Sequence, residues 1–340
     1  MEFLKIINPG VLSTIQDLGR KGYQQYGIPV SGAMDPFALQ AANLLVGNQR
    51  DEAGIEITYP GFEAEILNDC IIAVTGGDLG AKINGTYIPR WKSIYVTKGS
   101  RISFDRLCEG CRCYLAVGGG IQVPSVLGSK STYLRGGFGG YKGRKLQKDD
   151  VLYTSPDNAQ YFKYAGRRLP VKDIPKYRSP FKIRVILGPQ HEHFTPESIN
   201  TFLSEPYVVG EKSDRMGYRL EGPKLEHVAG ADIISDGVPL GAIQVPGHGN
   251  PIIMLADRQT TGGYTKIATV ISVDISLLAQ CKPGDKIFFE EISIEEAHQL
   301  LRYQEQVLKQ ISEMVKLSED RKFIITVQGE KFYVTVEEWK

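Results

Sequence analysis

The chain has 340 residues, of which 42% are hydrophobic and 23% are charged, a composition that excludes disorder as its dominant state. Its 40 basic and 39 acidic residues give a net charge of +1, so no overall positive field directs it to nucleic acid. No apolar run approaches the ~20 residues needed to span a bilayer, and the N-terminus lacks the apolar stretch of a signal peptide. We therefore expect a cytoplasmic protein of about two domains, with no nucleic-acid or membrane partner.

Short β-type segments between turns dominate the chain and predict a mostly β fold of barrels or sandwiches. The turns are rich in glycine and proline, of which the chain has 37 and 18. In chain order the clearest predicted strands are Cys70–Thr75, Ser93–Thr97, Cys111–Val117, Lys182–Leu187, Pro251–Ala256, Lys266–Ile275 and Lys286–Glu290.

A first helix is predicted to begin at Asp35 and Pro36, an N-cap followed by a proline in the first turn, and to end at Gly47. The glycine-rich loop before it contains Arg20 and Ser31. A helix N-terminus can hold an anion, but we expect the Asp35 side chain to occupy its amides. Arg20 and Ser31 therefore remain the candidates for ligand binding in this loop.

The five cysteines, an odd number at low density, argue against a secreted disulfide framework. Cys108, Cys111 and Cys113 form a cluster that raises the alternative of a zinc site, but a fourth ligand is missing nearby. Cys111 and Cys113 share the strand parity of Leu115 and Val117. We expect them to pack in a core, and we predict no metal.

Composition divides the chain into four parts. Over 161–181, apolar periodicity stops, prolines recur and basic residues outnumber acids. We predict an N-terminal β-rich domain over 1–160, an extended basic linker over 161–181, a C-terminal β-rich domain over 182–292 and an appendage over 293–340. A docking strip for an acidic partner surface is the alternative role of the linker.

The appendage combines a helix and a hairpin. Ser293 and Glu296 form a capping box, and apolar residues at helical spacing continue to about Leu317. Two strands then flank a turn at Gly329 and Glu330.

A predicted strand around residues 213–222 alternates an apolar face, which contains Tyr218, with a polar face that contains Arg215 and Arg219. Two arginines on one face suit a carboxylate, because guanidinium groups form paired hydrogen bonds with its oxygens. A solvated face with an Arg–Glu pair is the alternative. His191 and His193 share a predicted strand face, but two histidines without a third ligand favour a structural role.

The most suggestive segment begins where the buried strand Pro251–Ala256 ends. Polar residues gather there, as is common where a rigid strand positions a site. They are Asp257, Arg258, Gln259, Thr260 and Lys266, and a tight loop before the strand adds Gln244 and His248. A polar hairpin stabilised by threonine hydroxyls is the alternative.

Six ordered motifs between residue 8 and about residue 292 resemble the KipA family, also called the biotin-dependent carboxyltransferase or allophanate hydrolase subunit 2 family. They are Gln16-Asp17-Leu18-Gly19-Arg20 with Ser31-Gly32-Ala33-Met34-Asp35, Leu127-Gly128-Ser129-Lys130-Ser131-Thr132, Gly188-Pro189-Gln190, Ser213-Asp214-Arg215-Met216-Gly217-Tyr218-Arg219-Leu220, Gly241-Ala242-Ile243-Gln244-Val245-Pro246 and Leu255-Ala256-Asp257-Arg258-Gln259-Thr260-Thr261-Gly262-Gly263-Tyr264.

The resemblance implies a cyclophilin-like β-barrel and a KipI-like partner. Pairs of this kind resemble the C-type and B-type subunits of an ATP-dependent 5-oxoprolinase. An A-type subunit completes that enzyme, and the complex opens 5-oxo-L-proline to L-glutamate. One alternative is the carboxyltransferase component of a biotin-dependent urea carboxylase-like system. Another is an antagonist that relieves KipI inhibition of a sporulation sensor kinase.

The resemblance supports the positions of the site, and residue type suggests the roles. Arg215 and Arg258 are expected to clamp a small carboxylate substrate or a phosphate, and Lys266 to neutralise phosphate. The expected catalytic residues are Asp257, Arg258, Gln259, Thr260 and Lys266, and the expected substrate-binding residues are Arg20, Ser31, Arg215, Tyr218, Gln244 and His248. No Walker A loop is present, so ATP used by the complex is expected to bind in an unusual mode or on another subunit. We predict no bound metal or biotin in this chain.

Overall fold

The computed structural model describes residues 1–156, 159–317, 321–327 and 330–336. The predicted mostly β architecture is confirmed, with two antiparallel sheets in the N-terminal half and a closed barrel in the C-terminal half. Within the described ranges, no helix is both long enough and apolar enough to cross a membrane.

Eleven short strands build the N-terminal half. They are β1 (Glu2–Pro9), β2 (Leu12–Gln16), β3 (Gly54–Thr58), β4 (Phe62–Ile66), β5 (Cys70–Asp78), β6 (Ala81–Ile83), β7 (Thr86–Tyr87), β8 (Lys92–Val96), β9 (Arg101–Phe104), β10 (Glu109–Val117) and β11 (Val151–Tyr153). One sheet has the order β11-β1-β4-β9-β6-β7 and the other β2-β3-β10-β5-β8. Alternate apolar side chains such as Phe3, Phe62, Ile72 and Leu115 meet in a shared core.

Helix α1 (Pro36–Leu45) packs on β5 and β10. The predicted cap is confirmed, because the Asp35 carboxylate accepts a hydrogen bond from Ala38 N at 2.9 Å. Since α1 is apolar on most of its surface, it also packs towards the barrel, and the helix and the barrel interior share one core.

Nine further strands follow. They are β12 (Phe181–Leu187), β13 (Tyr207–Val209), β14 (Gly217–Glu221), β15 (Asp232–Gly237), β16 (Ala242–Gln244), β17 (Ile252–Met254), β18 (Thr261–Tyr264), β19 (Lys266–Val270) and β20 (Lys286–Glu291). Seven of them close a barrel in the order β12-β19-β16-β17-β14-β13-β20, with β12 and β20 parallel. The other two, β15 and β18, form a separate antiparallel pair, here called the arm.

Three helices and a hairpin complete the fold: α2 (Pro196–Ser204), α3 (Ile275–Leu278), α4 (Ile294–Leu317), β21 (Arg321–Val327) and β22 (Glu330–Val336). The capping box of α4 is confirmed, because Ser293 N donates to Glu296 Oε2 at 2.9 Å and Glu296 N to Ser293 Oγ at 3.2 Å. The hairpin is confirmed in its described strands, and Gly329 of the predicted turn lies outside the described residues.

Two sequence predictions are wrong in detail. The strand predicted through Ile275 ends at Val270, because Asp274 turns back to accept hydrogen bonds from Arg184 N and Nε at 2.8 and 2.9 Å. His191 and His193 lie in a 3₁₀ turn and not on a strand. The other 3₁₀ turns are Gln24–Tyr26, Ala159–Tyr164, Val171–Asp173 and Ser272–Asp274.

The basic segment over 161–181 runs between the two halves of the molecule. It includes 3₁₀ turns, and its Leu169 and Tyr177 are buried in the core shared by α1 and the barrel. The Tyr177 hydroxyl donates to Asp35 Oδ2 at 2.9 Å, so this segment contributes to the junction between sheets and barrel.

Candidate active site

The glycine-rich loop over 17–33 meets the end of β17 at the junction between the N-terminal sheets and the barrel. Ser31 N donates to Ala256 O at 3.1 Å, and Arg20 N donates to Val30 O at 2.8 Å. A Cβ atom at Gly19 would lie 2.6 Å from Val30 O, so the loop approaches itself too closely for any other residue there. The fold thereby brings two predicted loop residues to the polar segment that follows β17.

An ion-pair network crosses this junction through Arg215. Arg215 Nε donates to Asp257 Oδ2 at 2.9 Å, Nη2 to Gly32 O at 2.6 Å, and Nη1 to Glu56 on β3. Burial by itself lowers the pKa of Arg215, but Asp257 and Glu56 raise it above its ordinary value, so the group is cationic. Because all three nitrogens donate to protein oxygens, the geometry favours a link between domains over the predicted anion clamp.

Sequence reasoning missed Glu56, which is fully buried and also accepts hydrogen bonds from Met34 N at 2.8 Å and from the Tyr114 hydroxyl at 2.7 Å. A single acidic residue within a strand forms no recognisable motif, so no signal in the sequence identified Glu56. The predicted pairing of Arg215 with Arg219 on one strand face is wrong, since Arg215 precedes β14 and is buried while Arg219 is exposed.

Arg20 and Ser31 carry buried polar atoms without partners. Arg20 is 1% exposed, its Nη2 donates to Ser131 O, and its Nε and Nη1 have no hydrogen-bond partner. The Ser31 hydroxyl is likewise buried and unpartnered. Burial lowers the pKa of Arg20, and Asp17 and Asp257 act in the opposite direction. Because proteins rarely leave buried donors unsatisfied, these atoms indicate a place for a ligand or a bound water.

Arg258 is the clearest uncompensated cation of the junction. Its Nε donates to Val238 O at 2.8 Å and its Nη1 to Leu255 O at 3.2 Å, and no described carboxylate pairs with it. Burial lowers the pKa of Arg258 to about 10. With Ser31 it lines a cavity of about 810 Å³, here called the junction cavity, whose walls include Leu18, Met34 and Leu255. A buried guanidinium beside a cavity attracts an anionic group.

A second cluster lies on the outer surface of the barrel beneath the arm. Lys266 Nζ lies 3.2 Å from Asp236 Oδ2 and 3.4 Å from Gln190 Oε1, and Gln259 Nε2 donates to Gln244 Oε1 at 3.4 Å. Gln244 and Lys266 are neighbours across β16 and β19, whereas the adjacent side chains face the barrel core. We call these five residues the Lys266 cluster.

Two of these five were not predicted. Gln190 follows Gly188-Pro189 in one of the family motifs, a signal that could have identified it. Asp236 lies in β15 of the arm, and no pattern in the sequence connects it with Lys266.

The remaining predicted residues lie elsewhere. The Tyr218 hydroxyl accepts from Arg112 Nη1 at 2.7 Å and donates to Cys281 O at 3.1 Å, so it joins the two domains. His248 lines a separate cavity with Arg219 and does not contribute to either cluster. The Thr260 carbonyl accepts from Val238 N at 3.0 Å, which ties the segment after Arg258 to the end of β15 in the arm.

The structure therefore divides the predicted site in two. Arg20, Ser31, Arg215, Asp257 and Arg258 lie at the junction, and Gln244, Gln259 and Lys266 lie under the arm. The continuous segment 257–266 connects them. Within the described part of the chain, no three histidine, cysteine or acidic side chains are arranged to hold a metal ion.

Comparison with known proteins identifies the family. The profile of the carboxyltransferase domain with its subdomains A and B matches residues 26–291. The chain belongs to the carboxyltransferase domain family. It is 37% identical to the C-type subunit of 5-oxoprolinase from Escherichia coli over 91% of this chain and 97% of that protein. The corresponding protein of Haemophilus influenzae is 36% identical over 89% of this chain and 96% of its own length.

Some longer proteins contain a segment similar to this chain. Urea amidolyase of Saccharomyces cerevisiae is 35% identical over 91% of this chain but only 18% of its own length. Among solved structures, Kluyveromyces lactis urea amidolyase superposes with a TM-score of 0.86 at 32% identity, covering 91% of this chain and 20% of that chain. The protein TTHA0988 superposes with a TM-score of 0.77 at 33% identity, covering 85% of this chain and 55% of that chain.

Proposed function

We propose that this chain is the C-type subunit of an ATP-dependent 5-oxoprolinase complex. Its partners in that complex would be an A-type subunit and a KipI-like B-type subunit. The complex would convert 5-oxo-L-proline, ATP and water into L-glutamate, ADP and phosphate. The identity of 37% with the E. coli C-type subunit, which extends over 97% of that protein, supports this proposal.

The observation that carries the proposal is the uncompensated Arg258 beside the junction cavity. The substrate is a carboxylate, and opening its resonance-stabilised lactam requires activation, for which phosphorylation of the carbonyl oxygen by ATP is suited. Arg258 and the Ser31 hydroxyl are donors for an anionic group at the junction cavity, and the free nitrogens of Arg20 belong to the same glycine-rich loop as Ser31. Such preorganised donors in a water-poor site stabilise carboxylates and developing negative charge.

The Lys266 cluster supplies the complementary part of the proposal. Lys266 is 1% exposed, and its carboxylate partner Asp236 has a side chain that is 57% exposed, so an incoming anion can compete for the ammonium group. The amides of Gln244 and Gln259 offer donors and acceptors suited to the lactam ring. We assign Lys266 to neutralising phosphate and the two glutamines to orienting the substrate. Asp257, held by Arg215, and Thr260 remain candidates for orienting the attacking water.

The TM-score of 0.86 with Kluyveromyces lactis urea amidolyase favours a second candidate, carboxyl transfer with a biotin carrier. This function would require a biotin carboxylase and a carrier that other chains supply. The two proposals predict different substrates, so one set of assays separates them.

The decisive experiment is reconstitution. The chain is assayed alone, with the KipI-like protein, and with both partner proteins, for ATP-dependent formation of glutamate from 5-oxoproline. We expect turnover only in the complete mixture. Failure of turnover in a stable complex, together with biotin-dependent carboxylation of urea, would replace the first proposal by the second.

A matched pair of arginine variants tests the site. Arg258→Met is expected to lower kcat/KM of the complete complex by about 100-fold or more, as for the loss of one preorganised donor to a reacting anion. Arg167→Met is the control, because Arg167 is also buried, also has a pKa lowered to about 10 by burial, and does not line the junction cavity. Normal turnover by the Arg258 variant would contradict the assignment.

A further inference from the structure

The segment 236–238, at the end of β15, is bonded to both cations that the proposed function assigns to anionic groups. Arg258 Nε donates to Val238 O at 2.8 Å, and Lys266 Nζ lies 3.2 Å from Asp236 Oδ2. Only Gly237 separates the two arm residues. The end of the arm therefore contacts the Lys266 cluster through Asp236 and a residue of the junction cavity through Val238.

The two ends of the arm are attached to the rest of the barrel domain. Val238 is buried, packs with Ala242, and donates from its backbone nitrogen to Thr260 O at 3.0 Å. At the other end, Thr265 N donates to Ala231 O at 3.0 Å. Because both ends are attached in this way, a side chain between them can change its partner while the strand stays in place.

Asp236 lies between these attachments in an open stretch of the arm. Ile234 is 95% exposed, and a Cβ atom added at Gly237 would have no neighbouring atom within 4 Å. The Asp236 side chain is itself more than half exposed. Little packing therefore opposes its rotation away from Lys266 into solvent.

Lys266 is the buried member of this ion pair. A buried ammonium group is costly without an anionic partner, and within the described part of the chain no second carboxylate pairs with it. Gln190 Oε1, at 3.4 Å from Lys266 Nζ, accepts a hydrogen bond but carries no charge. Asp236 thus supplies, from the protein surface, the negative charge that Lys266 needs when no ligand is bound.

We propose that Asp236 is a built-in occupant of the Lys266 site, so that a phosphate or carboxylate group binds Lys266 only by displacing the Asp236 carboxylate. This contact is autoinhibitory, because a site that is open for a fraction of the time binds its ligand more weakly by that fraction. The inference rests on the proposed function only in assigning an anionic ligand to Lys266. A purely structural ion pair predicts the opposite result, since loss of Asp236 would then disturb the site and weaken binding.

Thermal stabilisation of the full-length chain by inorganic phosphate tests the proposal without any turnover. The rise in Tm with phosphate, at constant ionic strength, measures binding to the folded state. Asp236→Asn keeps the size of the side chain and removes its charge. Because a carboxylate that is largely exposed competes weakly, we expect the variant to bind phosphate about fivefold more tightly than the unmodified chain. The same titration with 5-oxo-L-proline distinguishes the two oxyanions, since a gain confined to one probe identifies the group that Lys266 takes.

Two comparisons locate the effect. Asp232→Asn removes another exposed acid of β15, one that forms no described ion pair with Lys266, and it is expected to change the Kd for either probe by less than about twofold. In the Asp236→Asn variant, acetylation of Lys266, read from its peptide by mass spectrometry, is expected to be slowed by the probe that binds.

No gain with either probe would overturn the proposal, and so would weaker binding by the Asp236 variant. An equal gain in Asp232→Asn would reduce the effect to overall charge, and a Lys266 that the bound probe does not protect would place the ligand elsewhere, so each of these results overturns the proposal as well. Failure of turnover in the reconstituted complex would count against the proposed function but would leave these binding results standing.

Discussion

Replacing Arg215 by methionine tests the interdomain network most directly. Methionine keeps the length and much of the packing volume but removes the donors to Glu56, Asp257 and Gly32. Glu56 would retain hydrogen bonds from Met34 N and the Tyr114 hydroxyl. Asp257, 6% exposed, would lose its charged partner, so most of the cost falls there.

Removing one partner of a buried ion pair costs about 3–5 kcal/mol, because the other charge is left uncompensated. We therefore expect Arg215→Met to lower the free energy of unfolding by about 4 kcal/mol, measured by urea denaturation at neutral pH. Arg101→Met is the control, since Arg101 and Glu63 pair at 3.2 Å with side chains that are 60% and 31% exposed. The control is expected to cost less than about 1 kcal/mol.

The double variant Arg215→Met, Asp257→Asn separates charge from packing. Neutralising Asp257 removes the uncompensated charge, so the double variant is expected to be about 1–2 kcal/mol more stable than Arg215→Met alone. A cost below about 1 kcal/mol for the single variant would refute the reasoning, because a buried bidentate pair cannot then be what joins the domains.

Three further predictions concern buried groups. Burial raises the pKa of Asp35 above 3.8, so the folded state binds this proton more tightly, and its contribution to stability is lost as pH rises from 3.8 through the raised value. Asp35→Asn should remove that pH dependence in urea unfolding, and an unchanged dependence would contradict the assignment. Gly47 has φ +84° and an added Cβ would lie 2.1 Å from the Tyr164 ring. Gly47→Ala should cost more than about 2 kcal/mol, whereas Gly85→Ala, at a similar φ but in open space, should cost about 1 kcal/mol, and equal costs would refute the clash. In the native protein, only the thiol of the exposed Cys108 should react rapidly with a thiol reagent, whereas all five thiols should react after denaturation. Burial raises the pKa of the others and shields them, and a second fast thiol would contradict this for Cys70, Cys111, Cys113 or Cys281.

Local sequence signals predicted the elements whose causes are local. The Asp35 cap of α1 and the capping box of α4 need only residues within one turn, and both form as expected. The strand beyond Val270 was predicted wrongly, because its end depends on Asp274 meeting Arg184 about 90 residues away. Apolar periodicity alone cannot predict the contact between Asp274 and Arg184.

In the candidate site, too, local features were predictable from the sequence and long-range contacts were not. The motif Asp257 to Thr260 with Lys266 was visible as polar residues after a buried strand. The tertiary structure decided what these residues contact: Asp257 pairs with Arg215, Lys266 with Asp236, and Arg258 with no described carboxylate. Sequence by itself therefore determined the family, the mostly β class and the segments that carry polar groups. Which donors are satisfied and which remain free depends on long-range contacts between sheets, barrel and arm, and only the folded chain brings those together.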